Sequence, residues 1–165
     1  MAESDVRDFL TALSAAGVRH VVVGAHALAA HGLVRATGDI DVLIEPELSN
    51  ARRLASAIRE FADVSLEYFG VTPEELSKPG TGFFMGVEPD RIDVHTQIVG
   101  VDFDRAWAES ILARIADVEV PVLGLSTLIA AKQESVRHRE PGSAKELQDR
   151  ADLAWLLVEK RRRQA

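Results

Sequence analysis

Apolar residues recur at Val6, Phe9, Leu10 and Leu13, the three-to-four spacing of one helix face, so residues 4–16 are expected to be helical. Ser4 can cap that helix and Gly17 fits its end. A short apolar run from Arg19 to Val23 predicts a buried strand stopped by Gly24, and alanine-rich residues 25–30 predict a helix closing near Gly32. Ile40 to Ile44 reads as a second strand ended by Pro46. Leu48, Leu54, Ile58 and Phe61 return to helix spacing over residues 47–61. Residues 64–69 alternate weakly and are expected to form a third strand. Thr72-Pro73-Glu74-Glu75 has the cap, the proline and the carboxylate of a capping box, opening a helix kept short by Pro79-Gly80. Two strands, 83–87 and 91–95, are expected around a Glu88-Pro89-Asp90 turn, and residues 111–115 and 118–122 suggest a further hairpin. Helices over 125–139 and, after a capping box at Ser143 and Glu146, up to about Lys160 complete a mixed α/β (α+β) pattern: a small mixed sheet flanked by helices, with a helical C-terminal extension. Trp107 and Trp155 fall at apolar helix positions and are expected in the core.

Composition narrows the function classes. With 165 residues, 47% of them hydrophobic and 27% charged, the chain fits one domain of ordinary globular character. The absence of cysteine excludes disulfide scaffolds, thiolate metal sites and thiol chemistry. No apolar run reaches the roughly 18 residues of a membrane span, and the acidic start does not read as a secretion signal, so a cytoplasmic protein without membrane contact is expected. A net charge of −7 disfavours broad nucleic-acid binding. The Lys160-Arg161-Arg162-Arg163 run is expected to be a solvated helix end, supported by the macrodipole.

Candidate chemistry begins at Asp39-Ile40-Asp41. Two carboxylates at i and i+2 on a strand share a face and repel unless a cation lies between them. Acid-x-acid triplets alone mean little: six occur, where about four are expected by chance in so acidic a chain. Context sets this pair apart. It opens the apolar strand 40–44, and it follows a strand that runs through Gly24-Ala25 into a helix, a turn in which backbone N–H groups can approach a phosphate. A third acid, Asp93, interrupts another apolar strand, where aspartate is disfavoured. His26 and His31 lie five apart, which favours packing or capping over a paired metal site. His95 would share a face with Asp93.

These residues carry a resemblance. Val23-Gly24-Ala25, a spacer, Asp39-Ile40-Asp41 and a later strand acid, Asp93, resemble the nucleotidyltransferase superfamily. The stretch from Gly24 through His31-Gly32 to Arg35, Thr37 and Asp41 is similar to its small prokaryotic branch, which includes abortive-infection, toxin–antitoxin and antibiotic-modifying members. Leu128-Ile-Ala-Ala-Lys132, Lys145-Glu-Leu-Gln-Asp149 and Asp152-Leu153 are similar to its C-terminal helices. One departure stands out: Ala25 occupies a position where the family commonly has Ser or Gly, so a hydroxyl contact to the phosphates is missing.

The resemblance implies a minimal nucleotidyltransferase fold, read as a single domain over 1–165 with a core at about 19–100 and a helical part at about 125–160. It implies transfer of a nucleoside monophosphate from a nucleoside triphosphate to a hydroxyl. Asp39, Asp41 and Asp93 would be metal ligands and catalytic residues for magnesium, in a two-ion site; Gly24, Ala25, Arg35, Thr37 and Lys132 would face the nucleotide. Arg35 and Thr37 could equally shape the loop, and Lys132 could be an ordinary surface lysine. The acceptor could be a small molecule, tRNA or protein, and a partner protein or homodimer is possible at this size. The alternative is a weak or inactive member acting as a nucleotide-binding or toxin–antitoxin module.

Overall fold

The computed structural model describes residues 3–87 and 90–165; Glu88 and Pro89 of the expected turn lie outside the described residues. Helix α1 (Glu3–Ala15) leads through Gly17, at φ 67°, into strand β1 (His20–Val23). Helix α2 (Gly24–Ala30) follows directly, then β2 (Ile40–Ile44) and α3 (Leu48–Ala62). Helix α4 (Pro73–Leu76) begins at a complete Thr72/Glu75 capping box, and β3 (Gly82–Val87) pairs with β4 (Asp90–His95). After α5 (Phe103–Ala108) comes the hairpin β5 (Ile111–Ile115) and β6 (Val118–Val122), then α6 (Leu125–His138) and α7 (Ala144–Gln164).

The six strands form one mixed sheet in the order β3-β4-β2-β1-β6-β5. Pairs β1/β2, β3/β4 and β5/β6 are antiparallel, whereas β2/β4 and β1/β6 are parallel. Central strands β1 and β2 are buried almost throughout, as parallel-paired inner strands should be. Helices α1 and α3 pack together, Phe9 meeting Phe61 edge to face at 5.5 Å, and α6 packs on α7.

Four details differ from the sequence expectations. Residues 64–69 are not a strand: a 3₁₀ turn spans Leu66–Phe69. Asp63 and Gly70 bracket the segment in left-handed conformations, φ 54° and 75°, which end extended pairing on both sides, and the turn seats Leu66 in the core. Helix α5 supplies the helix position expected for Trp107, with bounds that the pattern does not mark. Trp107 on it is 38% exposed rather than core; it stacks on Phe103 at 6.0 Å beneath the Arg19 guanidinium, 4.9 Å from its ring. At the C-terminal end Ser143 accepts the Glu146 N–H as expected, but Glu146 reaches back to the N–H of Gly142 rather than of Ser143. The basic run ends α7, where hydrogen bonds from Arg162 and Arg163 hold the Glu159 carboxyl down to about 2.

Asn50, fully buried on α3, ties the strand ends together. Its Oδ1 accepts the Arg19 N–H at 2.8 Å, and its Nδ2 donates to the carbonyls of Arg19 and Glu45 at 3.0 Å each. Asn50→Ala strips those backbone groups of a partner and is expected to lower the unfolding free energy by about 2 kcal/mol, read as a lower midpoint in urea denaturation.

Candidate active site

The parallel register of β2 and β4 sets Asp41 directly beside Asp93, and Asp39 lies two residues before Asp41 on the same face. Three carboxylates are thereby placed at one region of the sheet, each with a protein donor. The Arg91 backbone N–H donates to Asp39 Oδ1 at 3.0 Å, His95 Nε2 to Asp41 Oδ1 at 3.1 Å, and Arg91 Nε to Asp93 Oδ2 at 2.8 Å. Thr37 shapes the approach: its hydroxyl accepts the Asp39 N–H and donates to the Asp39 carbonyl, both at 3.2 Å.

Gly24 sits against Asp41 because β1 and β2 pair with Val23 opposite Asp41. Its φ is 66°, and a β-carbon there would lie 2.5 Å from Asp41 Oδ2. The glycine is required twice, by its left-handed backbone and by the carboxylate that fills its side-chain space. Asp41 Oδ2 therefore faces the turn that opens α2, whose N-terminus has no side-chain cap.

A cleft of about 700 Å³ opens at this point. Gly24, Ala25, Arg35, Thr37, Asp39, Asp41 and Lys132 all line it, so seven of the eight residues singled out from the sequence are brought together. Asp93 is the exception: it is 8% exposed and lies behind its Arg91 ion pair, outside the lining. The opposite wall comes from α6, α7 and the loop between them, and carries Lys132, Arg139 and Lys145.

Lys132 is not a surface lysine. Its Nζ lies 2.7 Å from both Asp149 Oδ1 and Asp152 Oδ2, and its side chain is largely buried. Arg35 reaches the same Asp152 at 3.2 Å, and Arg139 reaches Asp149 at 3.1 Å. Burial alone would raise the Asp149 carboxyl, but hydrogen bonds and charge from Lys132, and then from Arg139, outweigh it and hold the group below its ordinary value. Lys145 differs from the other cleft cations: it is exposed and makes no ion pair among the described residues. The sequence offered Lys145 only within the C-terminal resemblance; its spacing ahead of buried Asp149 and Asp152 was the available signal.

The histidines divide as follows. His31 is buried and donates from Nε2 to the Leu123 carbonyl at 2.7 Å, a packing role. Burial lowers the His26 imidazole below its ordinary value while the Asp41 charge opposes that shift, which leaves His26 neutral at pH 7. His95 stands in the cleft wall as a direct partner of Asp41.

The donor set suits a hard divalent cation. Among the described residues no group of three or more histidine and acidic side chains is gathered as a metal cage. Two carboxylates at a cleft edge are nonetheless what magnesium uses when phosphate oxygens and water complete its shell.

No family model matches the chain, and no curated protein matches it in sequence. Solved structures do share its fold. The solution structure of the antibiotic-resistance factor ANT(2'')-Ia superposes with a TM-score of 0.57 at 14% identity, over 98% of this chain and 91% of that one. The crystal structure of ANT(2'')-Ia in complex with adenylyl-2''-tobramycin gives 0.59 at 14% identity, over 99% and 98%. An antigenic nucleotidyltransferase-like protein from Paracoccidioides brasiliensis gives 0.61 at 18% identity, over 94% and 76%. The chain thus has the α/β fold of nucleotidyltransferases. No helix among the described residues is long and apolar enough to cross a membrane.

Two outcomes are expected. Gly24→Ala forces a β-carbon onto Asp41 Oδ2 in a left-handed backbone, which alone disfavours an L-residue by about 1–2 kcal/mol; urea denaturation should show at least that loss. For Asp149, a folded carboxyl held below its unfolded value contributes stability above the unfolded pKa and loses it as pH falls through the folded one. Asp149→Asn is therefore expected to be less stable at pH 7 and to show a shallower stability loss below about pH 4, measured by thermal melts across pH.

Proposed function

We propose that the chain is a magnesium-dependent nucleotidyltransferase that moves a nucleoside monophosphate from a nucleoside triphosphate to an acceptor hydroxyl. One observation carries the reading: a single cleft sets the Asp39/Asp41 carboxylates against a wall of lysine and arginine side chains, with the Gly24-Ala25 turn between them. A triphosphate needs both, a cation at its reacting end and donors along its charged tail.

Asp39 and Asp41 would hold the ion, and Asp41 Oδ2 is aimed at the phosphate turn. Magnesium bound there would orient the triphosphate and offset charge on the α-phosphate and on the departing pyrophosphate. The Ala25 N–H would contact phosphate without the hydroxyl that a serine supplies. Lys145 is the cation best able to follow the pyrophosphate, because Arg35, Lys132 and Arg139 are engaged by Asp149 and Asp152. The acceptor oxygen forms the new bond to the α-phosphorus as the bond to pyrophosphate breaks. Asp93, beside Asp41 but ion-paired to Arg91 outside the cleft lining, would support the acceptor side as the third acid and would receive the hydroxyl proton where the acceptor's approach parts that ion pair.

A second reading, a nucleotide-binding or toxin–antitoxin partner module on the same fold, draws on two observations: Ala25 stands at the phosphate turn, and the Asp93 carboxylate is ion-paired to Arg91. Turnover separates the two. The four α-labelled nucleoside triphosphates, supplied with magnesium, should label one class among aminoglycosides, tRNA and protein acceptors. Asp39→Asn and Asp41→Asn should each weaken metal-dependent nucleotide binding in calorimetry. Asp93→Asn should leave nucleotide affinity near wild type while lowering single-turnover transfer by roughly 10²–10⁴-fold. Wild-type binding in both Asp39→Asn and Asp41→Asn overturns the metal assignment. A wild-type protein that binds nucleotide but labels no acceptor gives the second reading the lead.

A further inference from the structure

A second ion shared between Asp41 and Asp93, implied by the family resemblance, meets a competitor within the chain. Arg91 lies two residues before Asp93 on β4, so both side chains project from the same face. Its Nε donates to Asp93 Oδ2 at 2.8 Å, and both side chains are mostly withdrawn from solvent. The guanidinium is also stacked 4.9 Å over the Phe84 ring, whose residue pairs with Asp93 in the β3/β4 register. The Arg91 backbone N–H holds Asp39 Oδ1 at 3.0 Å. One residue thus grips the first and third acids, and its charge already balances the more buried of them.

We propose that Arg91 is a built-in counter-cation for Asp93, so that the acid set takes one divalent ion, through Asp39 and Asp41, in place of two. The inference rests on the metal-binding reading above. A buried carboxylate without a partner charge is strongly disfavoured, so Asp93 requires a cation. Arg91 supplies one that is covalently attached and always protonated, whereas a second ion would have to displace it. The aromatic contact adds to the hold, because a planar guanidinium stacks on a ring while donating along its edge. Arg91 acts through Asp93 and is in this sense a positioning residue.

The test counts Mn²⁺ bound per chain, by electron paramagnetic resonance of the free ion during titration of the full chain. Wild type is expected to bind one. Arg91→Met keeps an unbranched stem over Phe84 but removes the charge, and is expected to bind two. Arg91→Lys restores a cation and should return to one, which a merely structural role for Arg91 does not predict. Circular dichroism checks that each variant is folded; if Arg91→Met is not, Arg91→Gln replaces it with the same expected count. Asp39→Asn in the wild-type background should lose the single ion, which tests the underlying reading separately. A wild-type count of two, or a count of one in the folded charge-removal variant, overturns the proposal and leaves the metal reading standing. No bound Mn²⁺ in either wild type or that variant overturns both.

Discussion

Crowding of like charge on one face of the sheet is the constraint on which the site depends. The parallel register of β2 and β4 makes Asp41 and Asp93 neighbours, and the two-residue period of a strand brings Asp39 to the same face. Carboxylates so placed repel, and burial increases the penalty because the low-dielectric interior screens poorly. The surroundings answer with donors: Arg91 through its backbone to Asp39 and its side chain to Asp93, and His95 to Asp41. Gly24 belongs to the same solution, because the Asp41 carboxylate occupies the space a β-carbon would need. The arrangement leaves one acid pair facing an open cleft and one acid neutralised behind it.

Helix α7 supplies the reverse arrangement on the far wall. Asp149 and Asp152 are buried and gather Lys132, Arg139 and Arg35 from α6, the loop after it, and the loop that precedes Asp39. Further along, Arg163 donates to the His31 carbonyl at 3.2 Å, and Trp155 packs beside Gly32. The C-terminal helix therefore anchors the segment between α2 and β2 at its start and at Arg35, the segment that delivers Thr37 and Asp39. Loop geometry at the acid pair is set from a helix more than a hundred residues away in sequence.

Much of the fold was legible because its signals are local. The 40–44 strand, the Thr72/Glu75 box and the β5/β6 hairpin follow from periodicity and capping chemistry, and each formed where residue type predicted. The 64–69 segment misled because weak alternation of apolar residues does not create a strand without a partner edge, and left-handed Asp63 and Gly70 removed the chance of one. Trp107 misled because an aromatic ring can be covered by an arginine face instead of a core. At the candidate site, the residues that share the cleft were readable but their pairing was not. Asp39 and Asp41 stand out by context, as an acid pair that opens an apolar strand, and Gly24 by its place after a strand. That Lys132 is held by two aspartates, and that Arg91 turns back onto Asp93, are tertiary facts with no local signature.

The charge balance of the cleft follows from these pairings. A chain of net charge −7 attracts a triphosphate only where cations are concentrated. Four cationic side chains line the cleft, yet Arg35, Lys132 and Arg139 share the two carboxylates of Asp149 and Asp152, and Lys145 alone makes no ion pair among the described residues. With Asp39 and Asp41 opposite, the wall of cations and the acids nearly cancel, so the side chains of the cleft by themselves have little net pull on a polyanion. A divalent ion at the acid pair changes that sum by two charges at the point nearest the Gly24-Ala25 turn. Under the proposed reading, the ion held at the acid pair is therefore what draws the triphosphate in, and the missing hydroxyl at Ala25 is a smaller term than the ion.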